Sequence, residues 1–491
     1  MKKLFYIILM CLAFASLITF FTGSESRRER PVLTWKTGIC PERYVQVEKF
    51  REWMIKNGHV DQDGKPLFDI QLEAESTQST MIQAVSGMGS DILDRVPVKR
   101  FASMGVLEDI TDYARENGMS PEYGYPGSLE LLTWNGRQYG YPCNLAVYSL
   151  WINLDLLEKH GIAQPPMEWT PEEFERIGRE FTAKANEGFP RQKYFFCGFT
   201  SFIPQIARSR GMDIFNETMT AATITNPVFS DALRLQKKWI EVDHLMPTAA
   251  ERASENAEFS HGGSGVSMFL YERYAMISTG RYVCMNLREA GKTFRLANSL
   301  HPQYEFKNAQ ITARISTVYT GSRNKELAKL FLRYLTSKEY NSLLIEGSDG
   351  LPPNPKIAEA SNEYLHPQRY PNEGNTHKNE LKWARTIALP DSFSPYFPLE
   401  KTGIDEAFDK VMNNIATEEE ALAVTQERIN RMIQESVNNN PTLKKQYEAG
   451  LVAQKKIDDC KKFGKKIPKS LISNPFHLAY YRSKGVLDET K

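Results

Sequence analysis

YGYPCNLAVYSLWINLDLLEKHGIAQPPMEWTPEEF, residues 139–174, decides the fold. Within it Leu145, Val147, Ser149 and Trp151 alternate with Ala146, Tyr148, Leu150 and Ile152, and both sets are largely apolar. A strand apolar on both faces is covered on both, so this stretch predicts a long central strand. Asn153-Leu154-Asp155 then caps a short helix, LDLLEKHG, which Gly161 stops. Pro165-Pro166 forces extended chain. Trp169-Thr170-Pro171-Glu172-Glu173 starts another helix, with Thr170 as N-cap, Pro171 at N1 and Glu173 at N3.

The chain before this stretch alternates in the same way. VLTW (32–35) reads as a short strand, and Pro41 and Glu42 open an amphipathic helix carrying Tyr44, Val47, Phe50 and Met54. FDIQLEAE reads as a half-buried strand, TQSTMIQAVSGMGS as a helix ended by glycine, and DIL (91–93) as a buried strand. Further helix signals lie at 228–240 and 324–346. The alternation predicts an α/β fold with a mostly parallel sheet covered on both faces. GGSGV (262–266) lacks the lysine of a phosphate loop and reads as a flexible loop before a strand.

A chain of 491 residues exceeds one ordinary core, so two compact bodies are expected. No internal repeat and no linker-like tract separates them, which favours two lobes that share strands. The net charge of +1 hides an asymmetry: residues 441–491 hold twelve Lys or Arg against five acids, and residues 22–440 are net −8. A basic tail suits an anionic membrane surface or partner, or is simply a solvated helix. The total gives no sign of nucleic-acid binding.

Lys2 and Lys3 precede an uncharged run, Leu4 to Phe21, followed by Thr22-Gly23-Ser24. This reads as an export signal, residues 1–24, placing the protein in the periplasm or outside the cell. As a helix the run would extend roughly 27 Å, which leaves an uncleaved membrane anchor open. Beyond Cys11, the cysteines at 40, 143, 197, 284 and 460 match no zinc or redox spacing. They read as buried fillers, with one disulfide among those near strand ends left open.

Several motifs, in this order, resemble the extracellular solute-binding proteins of carbohydrate-importing ABC systems, the group that includes maltose-binding protein. They are SGMGSDIL, the 139–174 stretch, YAMISTGRY, RNKELAKLFLRYLTSKEY, DGLPPNP and EEEALAVTQERINRMI. The resemblance runs from about Val32 to about Val437. It implies a two-lobed, class II periplasmic-binding-protein-like fold with a ligand cleft between lobes. One lobe takes 31–145 plus 308–350, the other 146–307 plus 351–437, and 438–491 is a basic extension. It further implies a monomer that binds a sugar or oligosaccharide, closes about a hinge and docks on an ABC permease.

In open α/β sheets ligands sit beyond the carboxyl ends of strands. That rule selects Trp35 and Thr37 after the first strand, Asp94 and Arg95 after DIL, and Phe199, Thr200 and Phe202 before an Ile-Pro helix. Asn144 on the central strand, Arg281 after YAMISTG, and Phe397 between prolines complete the set, with Tyr396 beside it. By the resemblance, Tyr282 aligns with the aromatic that stacks on sugars. Ring faces bury sugar C–H patches while polar tips select stereochemistry. Arg95 and Arg281 leave an acidic sugar open.

No GxSxG, HExxH or phosphate loop occurs, and no paired carboxylates stand in a recognisable acid–base setting. The expectation is therefore a binding protein without catalytic residues, metal or cofactor. A carbohydrate-active enzyme, or a ligand-sensing partner of a membrane receptor, on the same scaffold stays open.

Overall fold

The computed structural model describes residues 30–74, 77–254, 263–399 and 402–490. The expected export signal and Cys11 lie outside these residues. No helix among the described residues is long and apolar enough to cross a membrane.

Nine strands form one sheet: β1 Val32–Thr37, β2 Asp69–Ala74, β3 Ile92–Asp94, β4 Gly140–Asn153, β5 Phe195–Cys197, β6 Tyr274–Thr279, β7 Leu296–Ser299, β8 Ala309–Val318 and β9 Ala388–Leu389. The order is β2-β1-β3-β8-β4-β6-β5, with β9 on β8 and β7 on β4. Pairs β1/β2, β1/β3, β5/β6 and β8/β9 are parallel. The middle of the sheet departs from the parallel expectation, because β8 runs antiparallel to β3 and β4, and β4 antiparallel to β6 and β7 as well.

The long strand changes partners halfway. Gly140 to Tyr148 pair with β8, whereas Ser149 to Asn153 pair with β6 and β7. Its two apolar faces, read from the alternation, are what this double role needs. One core gathers Leu33, Trp35, Phe50, Trp53, Phe331 and Tyr334 on the β1–β3 side. A second gathers Trp169, Phe174, Phe196, Phe202 and Trp239 on the β5 side. Leu145, Val147, Ile311, Leu351 and Trp383 form a third around β4 and β8 themselves.

Local signals read from sequence hold in detail. Asn153 accepts from the Leu156 backbone and caps the helix Leu154–Lys159. Thr170 and Glu173 close a capping box on the helix Pro171–Ala185. Gly263 to Leu270 form a helix, where a loop was expected from GGSGV. The apolar Val266, Phe269 and Leu270 fall at helical spacing and bury that side. The glycine of DGLPPNP has a steric reason. Gly350 has a φ of +82°, and a Cβ there would meet the Leu145 carbonyl oxygen at 2.5 Å. The loop thereby lies against β4, with Leu145 and Leu351 exchanging both backbone hydrogen bonds.

Residues 441–490 are folded onto the second body. The helix Pro441–Lys462 turns Leu443, Tyr447 and Ile457 inward. Asn474 caps the helix Pro475–Ser483, and its amide donates to Asp213 and the Phe215 carbonyl. Phe476 packs edge-on against Phe306. The buried Glu217 carboxylate accepts from Gln454, Lys461 and Tyr481. Burial opposes ionisation there, but His477, Lys461 and the hydrogen bonds from Lys461 and Tyr481 outweigh it and bring the carboxyl down to about 2.

Candidate ligand-binding cleft

The carboxyl ends of β1 and β3 carry a polar chain. Ser316 and Thr37 donate to the two oxygens of Asp94, at 2.6 and 2.7 Å. Arg314 on β8 donates in turn to the Thr37 hydroxyl at 3.1 Å. Gly38 lets the guanidinium lie close, since a Cβ there would sit 3.0 Å from Arg314 Nη1. Asp94 is 4% exposed and Thr37 fully buried, so this chain shapes the floor and presents Arg314, half-buried, above it. Arg95 follows with a left-handed φ of 53° and an exposed side chain. That conformation is costly away from glycine.

Asn144 donates to Asp349 at 2.8 Å, and Asp349 also pairs with the buried Arg43 at 2.8 Å. The amide is half-buried and tied to the loop that follows the helix Lys338–Gly347.

On the other side of the strand switch, β6 ends at Thr279 and Gly280 packs on β4. A Cβ at Gly280 would meet Ala146 Cβ at 2.8 Å and the Tyr282 ring at 3.1 Å. Ala146 is therefore small because the glycine backbone rests on it. Tyr282 is half-buried and donates to the Tyr148 hydroxyl at 3.3 Å. Burial, the neighbouring Tyr282 and its hydrogen bond hold the Tyr148 hydroxyl well above its ordinary range, while the charge of Arg95 pulls the opposite way. Tyr148 thus senses groups from both halves of the sheet. Phe199 lies beyond β5, half-buried, with the Arg252 guanidinium 3.7 Å above its ring. Thr200, also half-buried, offers its carbonyl to Gln236.

Five of the residues selected from the sequence lie in packed interiors instead. Trp35 is fully buried, 4.8 Å from Phe331. Phe202 is fully buried against Phe174 and Trp239. Phe397 is 5% exposed and lies against Phe215, and Tyr396 packs on Tyr447. Arg281 is fully buried and donates to His377 Nδ1 and to the carbonyls of Leu344, Ile345 and Gly350 at 2.8–3.0 Å. It stacks on Tyr364 at 4.7 Å. Arg281 ties off the end of the helix Lys338–Gly347, where a cation suits the exposed carbonyls. Both residues lie in the turn between β6 and the helix Val283–Glu289, where Arg281 is fully buried and Tyr282 half-buried.

Three polar or aromatic groups were missed: Tyr148, Arg314 and Arg252. Tyr148 and Arg314 sit on strands whose apolar alternation masked them, and their placement follows from the register Tyr148 to Gln310 and Asn144 to Arg314. Two surface grooves, of about 340 and 440 Å³, lie elsewhere, by Arg210 and Tyr304 and by Asn430 and Tyr447.

Cys284, Glu373 and His377 place ligand-type atoms within 4.8 Å of one another. They do not suit a cation. His377 accepts from Arg281 and bonds Glu373 with its other nitrogen, and Arg288 holds both oxygens of Glu373 at 2.7 and 2.8 Å. Burial and Arg281 push the imidazole down to about 4, and burial pushes the Cys284 thiol well up. Two guanidiniums already fill the electrostatic role of a metal. The described cysteines are all unpaired, so none of the conceivable disulfides forms, and burial pushes Cys143 up to about 12.

The sequence model for bacterial extracellular solute-binding proteins matches residues 92–342, just over half of the chain. A curated binding protein of Brucella abortus is 23% identical over 275 residues, and the chain spans 59% of the length of that relative. An ABC substrate-binding protein from Listeria monocytogenes, solved with cycloalternan, superposes with a TM-score of 0.67 at 19% identity, covering 83% of this chain and all of that one. Maltose-bound MalE3 of T. maritima gives 0.64 at 16% identity, covering 82% and 99%. The fold is the two-lobed α/β fold of these proteins, with β4 and β8 running through the middle of its sheet. On the strength of the sequence match, the chain belongs to the bacterial extracellular solute-binding protein family.

Proposed function

We propose that this protein captures a sugar or oligosaccharide outside the cytoplasm and delivers it to an ABC permease by closing its lobes. The observation that carries the reading is the Tyr282–Tyr148 contact at the point where β4 changes partners. It sets a half-exposed aromatic ring and two hydroxyls within electrostatic reach of Arg95, on the strand that carries Asn144 opposite Arg314. A ring face of this kind supplies the apolar share of sugar affinity, about 2–3 kcal/mol for half its area. The surrounding donors and acceptors supply selectivity, since a buried polar group left unpaired costs about 1–3 kcal/mol.

The lobes in this reading are residues 31–145 plus 308–350 and residues 146–307 plus 351–437, crossed by β4. The contacting set is Tyr282, Tyr148, Arg314, Arg95, Asn144, Phe199 and Thr200, with the buried Thr37 and Asp94 holding Arg314 in place. Solved proteins of the same fold that hold cycloalternan and maltose support the ligand class. Closure follows only if the ligand binds the closed form more tightly than the open one.

Calorimetry against a panel of oligosaccharides, on the wild type and on Tyr282→Ala, tests the site. Binding by the wild type that weakens in the variant supports it. Equal binding by both places the ligand elsewhere, and release of shortened sugars would make the protein an enzyme.

A further inference from the structure

The helix Pro441–Lys462 has two unlike sides. Leu443, Tyr447, Gly450, Gln454, Ile457 and Lys461 recur every three or four residues and face the body. Leu443, Tyr447 and Ile457 are buried, Gly450 lies against Thr220, Gln454 bonds Glu217, and Lys461 pairs with Glu217. The residues between them face away. Val452 is 59% exposed and Phe463, just past the helix, is 62% exposed. Lys462 and Lys465 place their ammonium groups 5.6 and 5.7 Å from the centre of the Phe463 ring. Lys455, Lys456 and Lys466 are exposed around them.

Of the bases in this extension, Lys461, Lys469 and Arg482 stand in ion pairs with Glu217 and Glu489. Among the described residues the five lysines near Phe463 make no such pair; the exposed Asp458 and Asp459 lie between them, Asp458 accepting from Gln454, and leave the cluster a net charge of +3. A ring left this exposed among cations is not explained by folding, because the helix already buries its apolar side. The rest of the chain, residues 22–440, is net −8, so a negatively charged surface repels the body and attracts this one end.

We propose that this end of the protein is a docking surface for an anionic lipid bilayer. Phe463 enters the headgroup layer, and Lys455, Lys456, Lys462, Lys465 and Lys466 lie over the phosphates with their stems along the interface. The surface is built on a helix fixed to the body through Glu217, so it sets the orientation of the whole protein on the membrane. It is independent of the sugar site and stands whether or not a sugar binds.

The test is co-sedimentation of the full chain with vesicles of phosphatidylcholine alone and of phosphatidylcholine with about a third phosphatidylglycerol. The comparison is among wild type, Phe463→Ser, and a variant with the five named lysines changed to Gln, while Lys461 is kept. Any contribution of the apolar amino terminus is common to all three. Each lysine near an anionic surface contributes about fivefold in affinity. The expected result is a preference for the anionic vesicles that falls at least about thirtyfold in the five-lysine variant, about fivefold or more in Phe463→Ser, and steeply with added salt. Unchanged melting curves show that the variants are folded. Equal binding of wild type to both vesicles, equal binding by the variants, or retention by a nucleic acid or acidic protein with no vesicle preference overturns the proposal.

Discussion

The hydroxyls of Tyr282 and Tyr148 lie 3.3 Å apart across the seam where β4 leaves β8 for β6. One tyrosine follows the last residue of β6, and the other is the last residue of β4 paired with β8. Gly280 and Ala146 make the approach possible, because any side chain at Gly280 would strike Ala146. A ring held by its neighbours before a ligand arrives loses little freedom on binding, which is the condition for a useful stacking platform.

Tyr282→Ala is expected to weaken sugar binding at least about tenfold with little effect on stability, since the ring is half-buried. Tyr282→Phe keeps the face and loses the hydroxyl contact, so it should bind nearly as well. Titration calorimetry beside a urea melt reads both. A variant that unfolds more easily but binds normally would make Tyr282 a packing residue.

Trp35 supplies the opposite case. Its ring is fully buried against Phe331, in the core that also holds Phe50 and Tyr334. Trp35→Ala should cost about 3–5 kcal/mol of stability. In conditions where the variant is folded, its sugar affinity should match the wild type within about twofold. A large loss of affinity at unchanged stability would return Trp35 to the site.

How far the fold was legible follows from these residues. The alternation in β4 and the capping box at Thr170 were local signals, and each reads correctly without knowing the partner, whereas the reason for Gly350 is the distant Leu145 carbonyl. The direction of the middle strands and the inward turn of Arg281 were not local. They depend on which strand β4 pairs with and on where the end of the helix Lys338–Gly347 arrives. The rule that ligands lie beyond strand ends picks positions along the chain but does not say which side each residue takes. It therefore selected Arg281 along with Tyr282, Phe202 along with Phe199, and passed over Arg314, which stands in the middle of β8 and donates to Thr37.

Arg281 should prove structural. Arg281→Met leaves His377 Nδ1 and the carbonyls of Leu344, Ile345 and Gly350 without their donor. The expected loss is about 3–5 kcal/mol by denaturant melt. Arg281→Lys should recover only part of it, because an ammonium cannot span four acceptors as the guanidinium fork does. Full recovery by lysine would show that charge alone matters there.

Glu380 sets a pH dependence at the seam. Its carboxyl accepts from the backbone of Val147 and of Arg281, and burial raises it to about 7 from an ordinary 4.5. A folded-state value above the unfolded one means that the folded protein holds the proton more tightly. The contribution is fully present below about pH 4.5 and is lost as pH rises through 7. The wild type should therefore lose up to about 3 kcal/mol between pH 5 and 8 through this group. Glu380→Gln keeps the acceptor and removes the titration, so its stability should be flatter over that range. An identical slope in both proteins would exclude Glu380 as the source.

Glu217 works in the other direction and governs the carboxy-terminal extension. Its carboxylate is buried, joins Gln454, Lys461 and Tyr481, and titrates at about 2, below the ordinary 4.5. A depressed value contributes stability above pH 4.5 that is lost as pH falls toward 2. Glu217→Gln keeps the shape but leaves Lys461 facing a neutral amide, so the variant should lose about 2–3 kcal/mol at pH 7, about half of that at pH 3 and little below pH 2. The loss should be local to the extension, because Glu217 touches the helices Pro441–Lys462 and Pro475–Ser483 and the β4 seam lies elsewhere. Hydrogen exchange at pH 7 should then quicken within residues 441–490 while β4 keeps its protection. Exchange that quickens equally in β4 would mean that the extension and the sheet unfold as one unit.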